Sequence, residues 1–326
     1  VADLLVPGFW IFVLINAGIY TIFALGLQLQ YGVAGLMNFG AVALMGLSAY
    51  TMVISFITWN VNFLVACLLG LIAAGIGGVF LGLMARRLRG DYFAIVTIAF
   101  SETFRYVARN ASDFTGGDQG SLAIPSDSVT SSYVAPWNEF VASISIHIES
   151  LTGITLDRDS IMLIAVWSVA IFLLVVIARL EKTPWAQVLR ASREGDLVPS
   201  SLGKNVGLMR TQVLVLGSVL GGVAGIFFAL QFSFIQPNNF EPLATFFAWM
   251  IILLGGATRV VGVPVGALIF GFIFAGTRFF DFPPFSWFDS ADKAYLRLII
   301  VGAILIAIVL WRPQGILGRR KEMILE

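Results

Sequence analysis

Glu102 and Arg105 stand three positions apart inside an otherwise apolar run, 92–108. On a helix that spacing puts the two side chains on one face, within reach of each other. A carboxylate and a guanidinium inside a membrane segment are costly unless they pair or face a polar space, so they are candidate linings of a solute path. The same two residues also fit an ion pair at the outer end of a short span, next to Arg109, and the sequence leaves both readings open. Neutral amides form a second set: Gln28, Gln30 and Asn38 around the end of the first apolar run, and Gln231, Gln236, Asn238 and Asn239 after the sixth. Such groups pass polar solutes without trapping an ion; amides reaching for water at the membrane surface would look the same. Asn38 with Phe39, Gln231 and Asn239 join Glu102 and Arg105 as candidate path residues. Asn38-Phe39 and Asn239-Phe240 each follow a Phe-Ala-Leu stretch, at 23–25 and 228–230. That is a faint sign of the internal repeats found around midplane sites in transporters.

A third set lies in the polar segment 181–210: Arg190, Arg193, Glu194, Asp196, Leu202 and Gly203. Pro184 suits a helix start and Gly203 a helix end. A short helix there, apolar on one side and charged on the other, fits docking into a partner's groove. It equally fits an interfacial helix lying on anionic lipid.

The elements that must hold these residues follow from the charge pattern. Hydrophobic residues make up 58% of the 326 positions and charged ones 12%, about half the charge of an ordinary soluble domain. Positions 4–85 contain no Asp, Glu, Lys or Arg at all. A spanning helix takes about 20 apolar residues, so this stretch has room for roughly three, which excludes a soluble domain, a secreted disulfide scaffold and a nucleic-acid binder. Cys67 is the single cysteine and His147 the single histidine, which removes an internal disulfide, thiolate metal sites and most histidine-based catalysis. The start, Val1-Ala2-Asp3, has no cation ahead of its apolar residues, so no cleavable signal peptide is expected.

Apolar runs at 8–29, 33–57, 61–85, 92–108, 160–180, 211–233, 242–257, 262–277 and 294–311 predict an all-helical polytopic membrane protein. About nine spans are expected, with eight to ten allowed and several of them short or broken. They form one permease-like domain over 1–326, with a long outer loop at about 109–159 and an inner loop at about 181–210. Breaks are expected at Tyr31–Gly40 and at Gly255–Pro264, where glycines interrupt apolar text; a bilayer tolerates such breaks only beside protein or a watery cavity. The segments 86–91, 179–210 and the tail from Arg312 are rich in Lys and Arg, whereas 109–159 holds two cations and seven anions. Cation-rich loops stay on the cytoplasmic side, so nine spans put the N-terminus outside and the C-terminus inside. Small residues four apart, Gly70/Ala74/Gly78/Gly82, Gly217/Gly221/Gly225 and Ala267/Gly271/Ala275, predict close helix seams, either within one bundle or between two copies.

No Gly-x-x-x-x-Gly-Lys-Ser/Thr phosphate loop is present, and neither is an HExxH or GxSxG motif. A chain without its own phosphate loop takes ATP energy only through a partner, and without a nucleophile–base or metal set it is a poor candidate for an enzyme.

Taken together, Gly32–Gly40 with Gly46-Leu47-Ser48-Ala49-Tyr50, Gly90–Glu102, Thr115–Gly120, Arg190–Glu194 through Leu202-Gly203, Gly255-Gly256 and Arg312–Gly318 form an ordered set over almost the whole chain. This set resembles the inner-membrane permeases of branched-chain amino acid ABC importers, in particular the LivM-like half of the permease pair. The resemblance implies a homologous permease partner, two cytoplasmic ATP-binding subunits and an extracytoplasmic solute-binding protein, with no cofactor in this chain. It also implies that the inner loop is the coupling element, with Asp196–Gly203 touching the ATPase. Two departures stand out. Val198-Pro199-Ser200-Ser201 replaces the usual small alanines, which points to a later start or a bend in the coupling helix, and Arg259 occupies a position where the family has a small residue. Relatives move urea, short amides or other neutral amino acids, so the solute stays open. A self-sufficient transporter or facilitator for such a solute is the competing reading.

Overall fold

The computed structural model describes residues 7–88, 90–123, 133–152, 156–257 and 259–276, scattered positions between 292 and 310, and 315–317. Among these, regular structure is entirely helical. The long helices are α1 (Pro7–Gln28), α2 (Ala41–Trp59), α3 (Phe63–Ala85) and α4 (Gly90–Asn110), followed by a single turn, α5 (Ser112–Thr115). Then come α6 (Ala135–Thr152), α7 (Arg158–Leu180), α8 (Pro184–Glu194), α9 (Leu197–Ser201), α10 (Val206–Phe232), α11 (Pro242–Gly255) and α12 (Gly262–Gly276). Eight of the nine apolar runs are therefore helical. The ninth, 294–311, lies for the most part outside the described residues.

Among the described residues, five segments are long and apolar enough to cross a membrane: Gly8–Val33, Ala41–Trp59, Phe63–Ala85, Arg158–Leu180 and Val206–Phe232. The other described runs fall short for physical reasons. Helix α4 carries Asp91, Glu102, Arg105 and Arg109, and α11 and α12 have 14 and 15 residues, roughly 21–23 Å at 1.5 Å per residue.

Local chemistry sets the helix ends. Asn62 and Asn205 accept from Leu64 N and Leu208 N at 3.0 Å and cap α3 and α10, satisfying amides that the first turn leaves free. Pro184 and Pro242 open α8 and α11. Helices α2 and α10 stop on Asn60 and Ser233 in the left-handed region.

Packing uses the glycine seams, and it uses them inside the chain. Helix α10 packs along α3, α2 and α1, and α1 in turn holds α7, α11 and α12. A side chain at Gly78 or Gly82 would strike α10 at Ser218 or Thr211, and one at Gly70 would strike the α2 backbone at Ser48. Gly26 and Gly217 face each other, and Gly225 lies on Met45 O. Helix α3 is accordingly inside out: Gly70, Ala74, Gly77, Gly78 and Gly82 are buried, while Leu64, Leu68, Ile72, Ile76 and Leu83 are exposed. Without a hydrophobic drive between helices in lipid, close backbone contact is what holds them together. Some buried hydroxyls on these spans bond one turn back, as Thr21 does to Ala17 O and Ser218 to Leu214 O.

The ends sort into two groups. At one end Arg86, closing α3, donates to Gly207 O and Thr211 Oγ1 of α10, and α8 and α9 lie on the same side. There too Gln28 donates to Ala257 O, and Ile316 N and Leu317 N donate to Leu254 O and Gly255 O of α11. The segment Gly315–Leu317, from the Arg312–Gly318 motif, thus completes the last turn of α11; Gly315 has φ +72° and lies so close to Gly256 that a side chain would not fit. At the other end Arg158 of α7 donates to Leu230 O and Asn138. Ser121 and Ile235 exchange hydrogen bonds there, and Tyr133 donates to Ala229 O. The described parts of 109–159 therefore gather opposite the cation-rich segments.

Candidate functional site

The first break is a buried knot. After α1 the chain widens into a π turn, Leu29–Val33, and runs irregularly to Gly40 before α2 begins. Gln28, Gln30 and Asn38 are almost fully buried; each donates an amide N–H within the protein, whereas Gln28 Oε1 has no hydrogen-bond partner among the described residues. Asn38 donates to Gln30 Oε1 at 3.0 Å and accepts from Gly40 N at 3.0 Å. Gln30 donates to Leu214 O of α10 at 3.4 Å. Phe39 N donates to Thr97 Oγ1 of α4 at 3.1 Å, and Val42 N to Thr245 Oγ1 of α11 at 3.0 Å. Asn38 thus holds the break together, and its side chain is spent on that task in this conformation.

Aromatic rings cover the knot. Trp249 of α11 donates its indole N–H to Asn38 O at 3.1 Å. Its ring centroid lies 4.9 Å from that of Tyr31 and 5.2 Å from that of Phe39. Phe39 is 5.4 Å from Phe246, which is 42% exposed. Phe39 and Phe246 are therefore the visible edge of a cluster whose centre, Trp249, is buried.

Toward the opposite end of α4, Glu102 and Arg105 do pair, at 2.8 Å. The pair is not isolated. Arg105 also reaches Glu241 and Asn238, each at 3.4 Å, on the segment leading into α11. One guanidinium is thus bracketed by two carboxylates and an amide, and the side chains of Arg105, Glu102 and Glu241 are 19%, 32% and 45% exposed. Such a group presents both signs of charge side by side on a partly exposed surface. Asn239 is partly buried in the adjoining single turn Pro237–Phe240, its N–H bonded to Gln236 O. Gln231 lies in the last turn of α10 with its side-chain oxygen buried and unpartnered, and no hydrogen bond among the described residues joins it to either group.

Sequence reasoning passed over Glu241 and Trp249. Glu241 left a signal: it is the only charged residue between Arg210 and Arg259. Trp249 left none, because its role comes from a contact with Asn38, 211 positions away.

The loop carrying the third set bends. Helix α8 ends at Glu194 and α9 starts at Leu197, with Gly195 and Asp196 between them, so the single helix expected from Pro184 to Gly203 is two. Asp196 pairs with Arg210 of α10 at 2.7 Å, and Arg210 also donates to Ser192 O, which fixes the corner. Gly203, at φ +72°, ends the second piece. Helix α8 is well seated: Ala186, Leu189 and Ser192 are buried, Trp185 donates to Gln212 at 2.9 Å, and Arg190 lies 3.7 Å from Glu181. Burial raises the Glu181 carboxyl above its usual range, and Arg190 opposes the shift. Arg193 places its guanidinium 5.6 Å from the Tyr31 ring centroid. Helix α9 and the residue that caps it, by contrast, present apolar side chains outward: Leu197, Val198 and Leu202 are 86%, 66% and 74% exposed.

Comparison with known proteins identifies the chain. The family model for the permease component of branched-chain amino acid transport systems matches residues 9–309. The high-affinity branched-chain amino acid transport system permease protein LivM of Salmonella typhimurium is 28% identical over 92% of this chain and 68% of its own length. LivM of Escherichia coli is 27% identical over the same shares. The probable branched-chain amino acid transport permease LivM of Methanocaldococcus jannaschii is 23% identical over 94% of this chain and 93% of its own. No solved structure matches. A multi-pass helical bundle with buried breaks, built on a sequence matched from residue 9 to residue 309, therefore belongs to the permease components of branched-chain amino acid transport systems.

Proposed function

We propose that the chain is one of two homologous membrane subunits of an ABC importer for branched-chain and related neutral amino acids. In this reading its loop α8–α9 docks on a separate ATP-binding subunit, and a soluble receptor delivers the solute to the opposite end. The observation that carries the reading is the row of Leu197, Val198 and Leu202, exposed on a loop whose other half is anchored to the bundle. An exposed apolar tip on a rigid support suits a protein groove, whereas a helix lying on lipid would be expected to spread its apolar face along its whole length. The clustering of cation-rich segments at that end supports a cytoplasmic position for the loop and the tail. Helices α4, α11 and α12 also run between the two ends, which supports a nine-span path with the N-terminus outside.

The face between α4 and α11 is the proposed wall of the translocation path, closed by the partner permease. Phe39 and Phe246 supply an apolar stretch, and Glu102, Arg105 and Glu241 supply charges for the ammonium and carboxylate of a zwitterion. On this basis Glu102→Gln lowers uptake by about tenfold or more, whereas a partly exposed ion pair contributes only about 0–1 kcal/mol to stability. Uptake normalised to folded protein in the membrane checks this; a fall in folded protein alone would make the pair structural. The overall reading is tested by purifying the chain from native membranes, identifying the bound subunits, and measuring uptake after deletion of the ATPase. Full uptake without any ATPase rejects it.

A further inference from the structure

We propose that Arg193 and Tyr31 couple the loop helix α8 to an aromatic gate formed by Tyr31, Trp249, Phe39 and Phe246 at the buried break after α1. The inference rests on the permease reading above and names the residues that transmit motion within it.

A single side chain makes the connection. The aliphatic stem of Arg193 lies against Gly35, whose φ is +68° and where an added Cβ would sit 2.8 Å from Arg193 Cγ. The guanidinium of the same residue lies over the Tyr31 ring. Arg193 therefore touches the irregular segment at two points, one within the π turn and one just after it. Among the described residues no carboxylate pairs with Arg193, so the aromatic face is its partner there, and a cation over such a face is attracted by the ring's negative centre. Helix α8 is in turn held as a rigid lever by the buried Ala186 and Leu189 and by the Trp185–Gln212 bond.

From Tyr31 the contacts run without a gap. Its ring meets Trp249 at 73° and 4.9 Å. Trp249 lies against Phe39 and is tied by its N–H to Asn38 O. Phe39 lies on Phe246, and both edge onto the α4–α11 face. Arg193 touches none of the path candidates directly, so it is a positioning residue. The segment it grips is the π turn Leu29–Val33. A π turn has one residue more than an α turn and recurs at functional sites. It converts to α-helix by passing that residue along the chain, which gives the break two discrete arrangements instead of a continuous stretch. Movement of α8 by a docked ATPase shifts Tyr31, and the indole and the two phenyl rings follow.

The test uses the assembled complex of both permeases, ATPase subunits and receptor in lipid nanodiscs. Phe246→Cys is introduced in a Cys67→Ser background and labelled with a methanethiosulfonate reagent, with and without vanadate trapping of the ATPase. With Arg193 present, the labelling rate at position 246 is expected to change by about tenfold between the two states, within the usual range for coupling between sites. In complexes matched for bound ATPase, Arg193→Gln and Tyr31→Leu reduce that change to less than about twofold, and the double variant is no worse than either single one. Arg193→Lys and Tyr31→Phe, which keep the charge and the ring, restore it. An unchanged labelling difference in Arg193→Gln overturns the link, as does a parent complex in which position 246 never changes. Failure of any vanadate-trapped complex to form instead rejects the ATPase-coupled reading on which the link stands.

Discussion

Gly40→Ala is expected to abolish the folded permease, although it adds one methyl group to a chain of 326 residues. Any Cβ at this position would fall on Thr97 O, a backbone atom of α4, and a backbone atom of a long helix cannot rotate aside as a side-chain tip can. Relief requires α2 and α4 to separate, and separation breaks the Phe39–Thr97 bond and exposes the Asn38–Gln30 pair. Overpacking in a well-filled interior costs about 1–3 kcal/mol, and buried amides left without partners add roughly 1–3 kcal/mol each. Together these are comparable to the roughly 5–15 kcal/mol that holds a typical domain folded. The measurement is the yield of monodisperse protein after detergent extraction, with thermal unfolding of whatever remains. Gly221→Ala is the control, because a Cβ there meets only Phe23 at 3.7 Å. Equal yields for the two variants would refute the account.

The second large effect is expected at the tip of the loop. Leu197→Glu with Leu202→Glu replaces two of the three exposed apolar side chains at the loop tip by charges that a protein groove would have to bury unpaired. A central apolar anchor contributes about 2 kcal/mol or more to an interface, so the two together weaken association with the ATPase by roughly a thousandfold at 1.4 kcal/mol per decade. Both side chains are largely exposed, so insertion and thermal stability stay near parental values. Retention of the ATPase on the immobilised permease, measured by titration, decides the matter; undiminished binding moves the docking surface elsewhere.

How much of this was legible in the sequence depends on whether the determinant is local. The charge-free stretch from 4 to 85 was enough for a polytopic helical protein, because the cost of charge in lipid acts residue by residue. The glycine spacing announced tight seams, though only the fold put Gly78 and Gly82 on α10 of the same chain. Glu102 and Arg105 pair, as their three-residue spacing allows. Glu241 joins them across 136 positions, and no periodicity reports such a meeting. The bend at Gly195 was signalled by the departure at Val198–Ser201, but its exact place was set by the Asp196–Arg210 pair, a tertiary contact. Span counting was least secure where helices are charged or short: α4 carries Asp91, Glu102, Arg105 and Arg109, and α11 and α12 have 14 and 15 residues.

The bonds from Ile316 and Leu317 to the end of α11 bear on how the chain is made. Leu254 and Gly255 leave the ribosome about sixty residues before the amides that satisfy their carbonyls, at a synthesis rate of about 5–20 residues per second. For several seconds the newborn hairpin of α11 and α12 has to rest in the membrane unfinished. A translocon or a neighbouring subunit that shelters it during that interval would bear directly on how much permease a cell can produce.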